Sequence, residues 1–178
     1  IDAMESFKTP VNIRWWKRDD MTQLLNYPGV TEKEFLFLLS DRDTICMVAL
    51  KADYIVGYMV YEIYRGSINL IDLMVHPDWR KGDIGTQLLV KLCLKRRTYI
   101  ECYVNERNLL AQQYLRRMEF KAVEVIKRWF GADDDAFRFI LELKHIENSF
   151  FWQSLLNKWA FKDMSEQEIG SAEKREVV

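Results

Sequence analysis

Alternating apolar and polar residues along the chain predict seven β-strands. Residues 11–16, Val-Asn-Ile-Arg-Trp-Trp, alternate with the period of two that is typical of a strand with one buried face. The other β-rich runs lie at residues 44–51, 55–64, 68–75, 98–104, 120–126 and 137–143. Short connections join the first three of these runs, which favours an antiparallel meander.

Apolar residues three and four positions apart predict helices between the strands. Two short helices, at residues 19–25 and 32–39, follow the first strand, and Thr31 is placed to cap the second. Longer helices are expected at residues 84–97 and 108–118. A helix between the last strand of the meander and the next strand requires a parallel, right-handed crossover. The predicted fold is therefore a mixed α/β sheet, mostly antiparallel, with helices on both faces.

Composition narrows the range of functions. The 178 residues carry 26 basic and 27 acidic side chains, and the net charge of -1 argues against a dedicated nucleic-acid-binding protein. No apolar run approaches the roughly 18 residues that span a bilayer, so no membrane partner is expected. Cys46, Cys93 and Cys102 lie in apolar runs and are predicted to be buried thiols of a cytoplasmic protein. His76 and His145 are far apart in the sequence, and no metal site is expected.

The two ends of the chain are predicted to lie outside a domain at residues 9–145. Residues 1–8 are interpreted as a leader or a remnant of cloning, and residues 162–178 as a charged tail. Residues 146–161 are predicted to form an amphipathic helix whose apolar face consists of Trp152, Leu155, Leu156 and Trp159. This face has to be covered, either by the chain's own sheet or by a protein partner or second subunit.

Residues 75–86, Val-His-Pro-Asp-Trp-Arg-Lys-Gly-Asp-Ile-Gly-Thr, combine the features of an anion site. They join a predicted strand to a predicted helix through a short loop, and free N–H groups at a helix N terminus attract phosphate. Gly82 and Gly85 allow close approach of the backbone, and Arg80 and Lys81 add positive charge. The alternative is a surface turn in which the glycines serve only the backbone geometry.

This segment resembles the acetyl-CoA signature of the GNAT superfamily of N-acetyltransferases. In that signature a strand ending in Val-x-Pro is followed by Arg/Gln-x-x-Gly-x-Gly/Ala and a helix. Residues 104–120, Val-Asn-Glu-Arg-Asn-Leu-Leu-Ala-Gln-Gln-Tyr-Leu-Arg-Arg-Met-Glu-Phe, resemble the strand, asparagine and helix that follow in the family. The chain is most similar to the branch that acetylates the N terminus of a small ribosomal protein.

The resemblance implies a GNAT-type sheet and an N-acetyltransferase that uses acetyl-CoA as co-substrate on a protein N-terminal or other primary amine. In the family, two neighbouring strands splay apart and open a slot for the thioester. The backbone of Leu73, Met74 and Val75 would hold the pantetheine arm, and Asn108 would contact the cofactor near its reactive end. The pyrophosphate would be wrapped by a loop and helix start comprising Arg80, Lys81, Gly82, Asp83, Ile84, Gly85 and Thr86.

Several positions depart from the family pattern. Asp83 stands where the family has its central glycine. Its carboxylate is expected either to face the pyrophosphate and oppose it or to cap its own helix, unless the loop is re-threaded so that Gly82 serves one position earlier. Tyr103 and Leu115 occupy the positions of the family's catalytic Glu and Tyr, and Glu119 replaces a further family glycine.

Four side chains remain as candidates for acid and base chemistry, namely Glu101, Tyr103, Asp72 and Tyr114. Glu101 shares a strand face with Tyr103, Asp72 lies on the predicted cofactor strand, and Tyr114 precedes Leu115 on its helix. Each also has an ordinary structural interpretation, as an exposed strand carboxylate or as a packed aromatic ring. The changes at Tyr103 and Leu115 keep a second function open, in which a catalytically degenerate copy of the fold is a binding or scaffolding module that acts through its C-terminal helix.

Overall fold

The computed structural model describes residues 10–80 and 82–159. Lys81, the predicted leader and the predicted tail lie outside the described residues. The strands are β1 (Asn12–Trp15), β2 (Thr44–Lys51), β3 (Tyr54–Ile63), β4 (Ser67–Val75), β5 (Tyr99–Asn105), β6 (Lys121–Ile126) and β7 (Ala136–Glu142). The helices are α1 (Met21–Leu24), α2 (Glu32–Leu39), α3 (Ile84–Cys93), α4 (Leu109–Arg117), α5 (Leu143–Asn148) and α6 (Phe150–Trp159). Within these two ranges, every helix is too short or too polar to cross a membrane.

The strands form one sheet in the order β1-β2-β3-β4-β5-β7-β6. β4 and β5 run parallel, and the other neighbouring strands run antiparallel. This arrangement confirms the predicted mixed α/β class, the antiparallel meander and the helical crossover. Most predicted element bounds agree with the structure to within a residue or two.

Two predicted helices differ from the structure. α3 ends at Cys93 rather than at Arg97, because Arg96 adopts a left-handed backbone conformation with φ of 54°. The Lys-Arg-Arg run at residues 95–97 offers no apolar residue that would extend the buried stripe of α3. The predicted C-terminal helix is two helices, α5 and α6, because Ser149 between them is extended, with φ of -93° and ψ of 120°. Residues 160 and 161 of that prediction lie outside the described residues.

Helices cover both faces of the sheet, each over its own apolar cluster. α3, α4 and α6 pack on one face, which we call the α3 face, with fully buried residues such as Leu88 and Leu92. α1 and α2 pack on the other, which we call the α1 face, against Tyr58 and Val60 of β3. Alternation along the strands places odd-numbered residues of β5 on the α1 face, because the even-numbered ones lie in the first cluster.

A β-bulge in β4 precedes an opening in the middle of the sheet. Leu70 pairs with Tyr61 and Asp72 pairs with Val60, so Ile71 is the extra residue of the bulge. β4 pairs with β5 only through Ser67, Ile68 and Asn69, although β4 continues to Val75. Beyond these three pairs the two parallel strands diverge. The splay that the family resemblance implies is therefore present, and we call the gap between the strands the slot.

The aromatic face of the C-terminal helix packs on the chain's own core. The side chains of Trp152 and Trp159 are 0% and 4% exposed, and Leu155 and Leu156 are half-buried against the same cluster. The Nε1 of Trp152 donates a hydrogen bond of 2.9 Å to the carbonyl of Met118. The alternative that this face docks a partner or a second subunit is therefore wrong, because the chain itself already buries it.

Gly57 allows α3 to lie close to β3 and β4. A Cβ atom at this position would stand 3.0 Å from the carbonyl oxygen of Met74 and 3.1 Å from the Cγ2 of Ile84. We expect Gly57→Ala to lower the free energy of unfolding by about 1–3 kcal/mol, because the backbone of β4 has to move. Chemical denaturation measures the change.

The control for this substitution is Gly66→Ala, where the added Cβ would meet only the Oγ1 of Thr98, at 3.9 Å. The control should change the free energy of unfolding by less than about 1 kcal/mol. Equal effects of the two substitutions would contradict the close packing of α3 on β3.

Candidate active site

The end of β4 forms one wall of the slot. Leu73, Met74 and Val75 pair with β3 on one side, opposite Met59, Tyr58 and Gly57. On the side of β5, none of these three residues has a strand partner among the described residues. Backbone groups on that side lack a strand partner, so an extended ligand can pair with those that no side chain already binds, as an additional strand would. Arg80 reaches back to this wall, since its Nε donates to the carbonyl of Val75 at 3.3 Å.

The loop after β4 leads into the N terminus of α3. It begins with a 3₁₀ turn at Pro77–Trp79, where the Nδ1 of His76 accepts a hydrogen bond from the N–H of Asp78. Gly82, Ile84 and Gly85 are buried and Thr86 is half-buried. The first bond of the helix runs from the N–H of Gln87 to the carbonyl of Asp83, at 2.8 Å. The N–H groups of residues 84–86 precede it and have no acceptor within the helix.

Asp83 keeps the backbone conformation that a glycine would adopt. Its φ is 32° and its ψ is 9°, in the left-handed region that Asp tolerates better than most residues. Its side chain does not cap α3, which corrects one of the alternatives from the sequence. The Oδ2 instead lies 3.3 Å from the Nζ of Lys158, at the C-terminal end of α6. Because residue 83 itself is left-handed, the loop need not be re-threaded through Gly82.

Tyr114 of α4 packs against the start of α3. A Cβ on Gly85 would lie 3.2 Å from the Tyr114 hydroxyl and 3.5 Å from the Cγ2 of Val75. The hydroxyl is buried and makes no hydrogen bond of normal geometry to any described residue. Burial raises the pKa of Tyr114 to about 12, although Thr86 and Arg117 oppose the shift. Tyr114 therefore points toward the loop end of the slot, whereas its neighbour Leu115 is buried in the core.

The two candidate carboxylates have different environments. Asp72 accepts a hydrogen bond of 2.8 Å from the hydroxyl of Tyr58, and burial raises the pKa of its carboxyl despite opposing bonds from Tyr58 and the Leu73 N–H. Glu101 forms an ion pair with Arg138, with its Oε2 2.8 Å from Nη2 and 2.9 Å from Nε. Both carboxylates are half-buried, so neither is the ordinary exposed strand residue that the sequence left as an alternative. Glu101 is already neutralised by a partner, whereas Asp72 is held by a neutral phenol.

Tyr103 lies on the other wall of the slot, opposite Asp72. Asn69 and Glu101 are the last paired residues of β4 and β5, so Tyr103 is two residues beyond that pair and Asp72 is three. Both side chains are on the α1 face. The ring of Tyr103 stacks on Trp129 at 4.8 Å with an interplanar angle of 14°. Burial and the charge of Glu101 raise the pKa of the Tyr103 hydroxyl, and Arg138 opposes the shift.

Asn108 is the N-cap of α4. Its Oδ1 accepts a hydrogen bond of 3.1 Å from the N–H of Ala111. Since its oxygen is occupied by the helix, its amide N–H groups are the ones that remain for contact with a cofactor.

Four functional candidates were missed from the sequence, and they are Tyr58, Trp129, Arg138 and Lys158. Tyr58 and Arg138 depend on contacts across strands, and Trp129 depends on a contact between the turn after β6 and β5, which a residue pattern along one strand does not reveal. Lys158 carried a signal, since it is the only cation in the aromatic helix, yet its contact with Asp83 joins residues 75 positions apart.

Comparison with known proteins identifies related folds. A family model for the acetyltransferase (GNAT) domain matches residues 42–122. No curated protein matches the chain significantly. The ribosomal-protein-S18-alanine N-acetyltransferase of Escherichia coli has a similar structure, with a TM-score of 0.62 and 14% identity, over 75% of this chain and 94% of that chain.

Two further structures show the same likeness. The spermidine/spermine N-acetyltransferase of Vibrio cholerae gives a TM-score of 0.64 at 16% identity, over 82% of this chain and 98% of that chain. A GNAT family acetyltransferase from Elizabethkingia anophelis, solved with acetyl-CoA bound, gives 0.62 at 16% identity, over 76% and 100%. At these identities the likeness concerns the fold.

Proposed function

We propose that the chain, whose residues 42–122 match the acetyltransferase (GNAT) domain model, transfers the acetyl group of acetyl-CoA to a protein N-terminal or other primary amine. The observation that carries this proposal is the splay of β4 from β5 next to a loop with free N–H groups at the start of α3. The cysteines are free thiols, which supports the reducing cytoplasm as the site of action.

The cofactor is proposed to lie along the unpaired edge of β4. Its pantetheine arm would bond to the backbone of Leu73, Met74 and Val75, and its pyrophosphate would lie at the N–H groups of residues 84–86. Tyr114 lies at the loop end of this path, beside Gly85 and Val75. Val75 is three residues from Asp72 on β4, a distance of about 10 Å along the strand. We therefore assign Tyr114 to cofactor binding rather than to proton transfer, and Asn108 to contact near the thioester.

Asp72 and Tyr103 are the proposed acid and base, one on each wall of the slot. Asp72 accepts the proton of the attacking amine, directly or through a water molecule, because a carboxylate with a raised pKa is a better base near neutral pH. The amine nitrogen bonds to the thioester carbon, and a backbone N–H at Met74 or Val75 stabilises the oxyanion. The carbon–sulfur bond then breaks, and the departing thiolate takes the proton of the Tyr103 hydroxyl. Glu101 holds Arg138 beside that hydroxyl.

The second function considered from the sequence is a binding module that acts through the C-terminal helix. The aromatic face proposed as its binding surface is not available to a partner. Trp152 and Trp159 are buried within the chain. Acetyl-CoA binding without transfer to any amine would be the result that favours a non-catalytic protein.

Acetyl-CoA should stabilise the protein and protect the loop. At one hundred times its dissociation constant, a ligand that binds only the folded state adds about 2.7 kcal/mol to the free energy of unfolding. Hydrogen exchange should slow at the amides of residues 82–86. Unchanged exchange there at saturating acetyl-CoA would contradict the proposed site. Mass spectrometry of peptide and polyamine acceptors then tests for a gain of one acetyl group.

A further inference from the structure

The C-terminal segment, which consists of α5, Ser149 and α6, contacts both acidic residues that replace glycines of the family pattern. Asp83, at the start of α3, pairs with Lys158 near the C-terminal end of α6. Glu119, in the turn between α4 and β6, accepts hydrogen bonds from Ser149, between α5 and α6, at 2.5 Å and from His145 of α5 at 3.0 Å. Two departures that looked unrelated in the sequence thus converge on the C-terminal segment.

Glu119 fixes the N-terminal end of α6. It adopts a left-handed conformation, with φ of 66°, which favours glycine, so its side chain is retained at some backbone cost. Its two oxygens bind two different residues of the C-terminal segment, and Trp152 adds the bond from its ring to Met118. A bidentate contact and a buried tryptophan together fix where α6 begins.

From this anchor, α6 reaches the N terminus of α3. Its ten residues rise about 1.5 Å each, so the helix spans about 15 Å between the α4–β6 turn and the loop after β4. Trp159 is buried beside Lys158, whose ammonium lies 4.8 Å from the centroid of the Trp159 ring. That contact and the ion pair with Asp83 hold the ammonium at the helix start. The buried hydroxyl of Tyr114 lies against the second residue of the same helix start.

On the basis of the proposed function, we infer that Lys158 is a cofactor-binding residue that neutralises Asp83, so that the α3 N terminus can hold the phosphates of acetyl-CoA. An unpaired carboxylate at the first turn would repel a pyrophosphate from the N–H groups that should bind it. With Lys158 in place, the net charge of the pair is zero, and the ammonium keeps donors free for a phosphate oxygen. The C-terminal segment thus completes the cofactor site.

The experiment compares the unmodified protein, Lys158→Met and the double variant with Asp83→Asn by calorimetric binding of two ligands, CoA and pantetheine, which lacks the phosphates. We expect Lys158→Met to weaken CoA binding about tenfold and to leave pantetheine binding unchanged, because only the phosphates meet Asp83. Adding Asp83→Asn to Lys158→Met should restore CoA binding to within about threefold of the unmodified protein. Lys144→Met, on α5, removes an exposed charge from the same segment and should change neither affinity.

Each other result overturns the inference. Equal loss of CoA and pantetheine binding would show that Lys158→Met only disturbs the packing of α6. Tighter CoA binding by the same variant would show that the pair closes the loop, and a double variant that remains weak would remove the role of Asp83. If the unmodified protein binds CoA and Lys158→Met binds it equally well, this inference fails alone. If the unmodified protein binds no CoA, the proposed function fails with it.

Discussion

Trp152→Ala should lower the free energy of unfolding by about 3–5 kcal/mol, the largest stability effect that we expect of any single substitution in this chain. Trp152 is fully buried in the apolar cluster on the α3 face of the sheet. Its removal leaves a large cavity and deprives the Met118 carbonyl of its donor, 2.9 Å away. Since natural domains are stable by about 5–15 kcal/mol, the variant should be marginally folded.

The same helix provides the control. Phe150 lies two residues earlier and is 88% exposed, so Phe150→Ala should change the free energy of unfolding by less than about 0.5 kcal/mol. Trp152→Phe keeps most of the ring and loses the hydrogen bond, and it should give an intermediate loss. Urea denaturation of the three variants measures the order. A Trp152→Ala variant as stable as Phe150→Ala would show that α6 is not part of the folded domain.

The C-terminal helix shows how far a periodic pattern predicts structure. The spacing of Trp152, Leu155, Leu156 and Trp159 defined the apolar face, and the structure confirms that these residues share one buried side of a helix. The pattern did not say what covers them, because an apolar face is equally compatible with a partner and with the chain's own sheet. That choice is made by contacts such as the one between Trp152 and Met118, 34 residues apart.

The divergence of β4 from β5 could be predicted from the family resemblance and not from the residue pattern. Alternation in residues 68–75 gave a single strand, and nothing in those residues indicates the extra position at Ile71. A bulge depends on how two strands pair, so the splay followed only from the resemblance to the GNAT family. The loop motif, in contrast, combined glycines, cations and a helix start within twelve residues. Local signals of this kind are visible in a sequence, and in the structure Gly82 and Gly85 lie at the start of α3.

The acid and base candidates were the least predictable part of the site. Periodicity placed Glu101 and Tyr103 on one face, and the structure agrees. The ion pair with Arg138 depends on the register between β5 and β7, and the bond to Tyr58 depends on that between β3 and β4. These cross-strand partners distinguish a neutralised carboxylate from one with a raised pKa. Because Glu101 is paired with a cation and Asp72 with a neutral phenol, we favour Asp72 over Glu101 as the base.

Asp72→Asn should lower kcat by about 10²–10⁴-fold while leaving acetyl-CoA affinity unchanged, because the amide cannot accept the amine proton. In the unmodified protein the rate should rise with pH as Asp72 ionises, with an apparent pKa above the ordinary value of an aspartic acid.

The free energy of unfolding should fall over the same pH range. The folded pKa is raised, so the folded state holds this proton more tightly than the unfolded chain, and the stabilisation that protonated Asp72 provides is lost as pH rises through the folded pKa.

At neutral pH the ionised, half-buried Asp72 therefore lowers the free energy of unfolding, and the neutral amide side chain of Asp72→Asn does not. We expect that variant to be at least as stable as the unmodified protein while it is nearly inactive. The matched control is Glu101→Gln, which leaves the half-buried guanidinium of Arg138 with only the more distant carboxylate of Glu124, at 3.8 Å. It should lower the free energy of unfolding and change kcat little. Measurements of kcat against pH and of unfolding on both variants decide the assignment. If Asp72→Asn retained its rate within about threefold and Glu101→Gln lost it, the base would be Glu101, with Arg138 holding it in place.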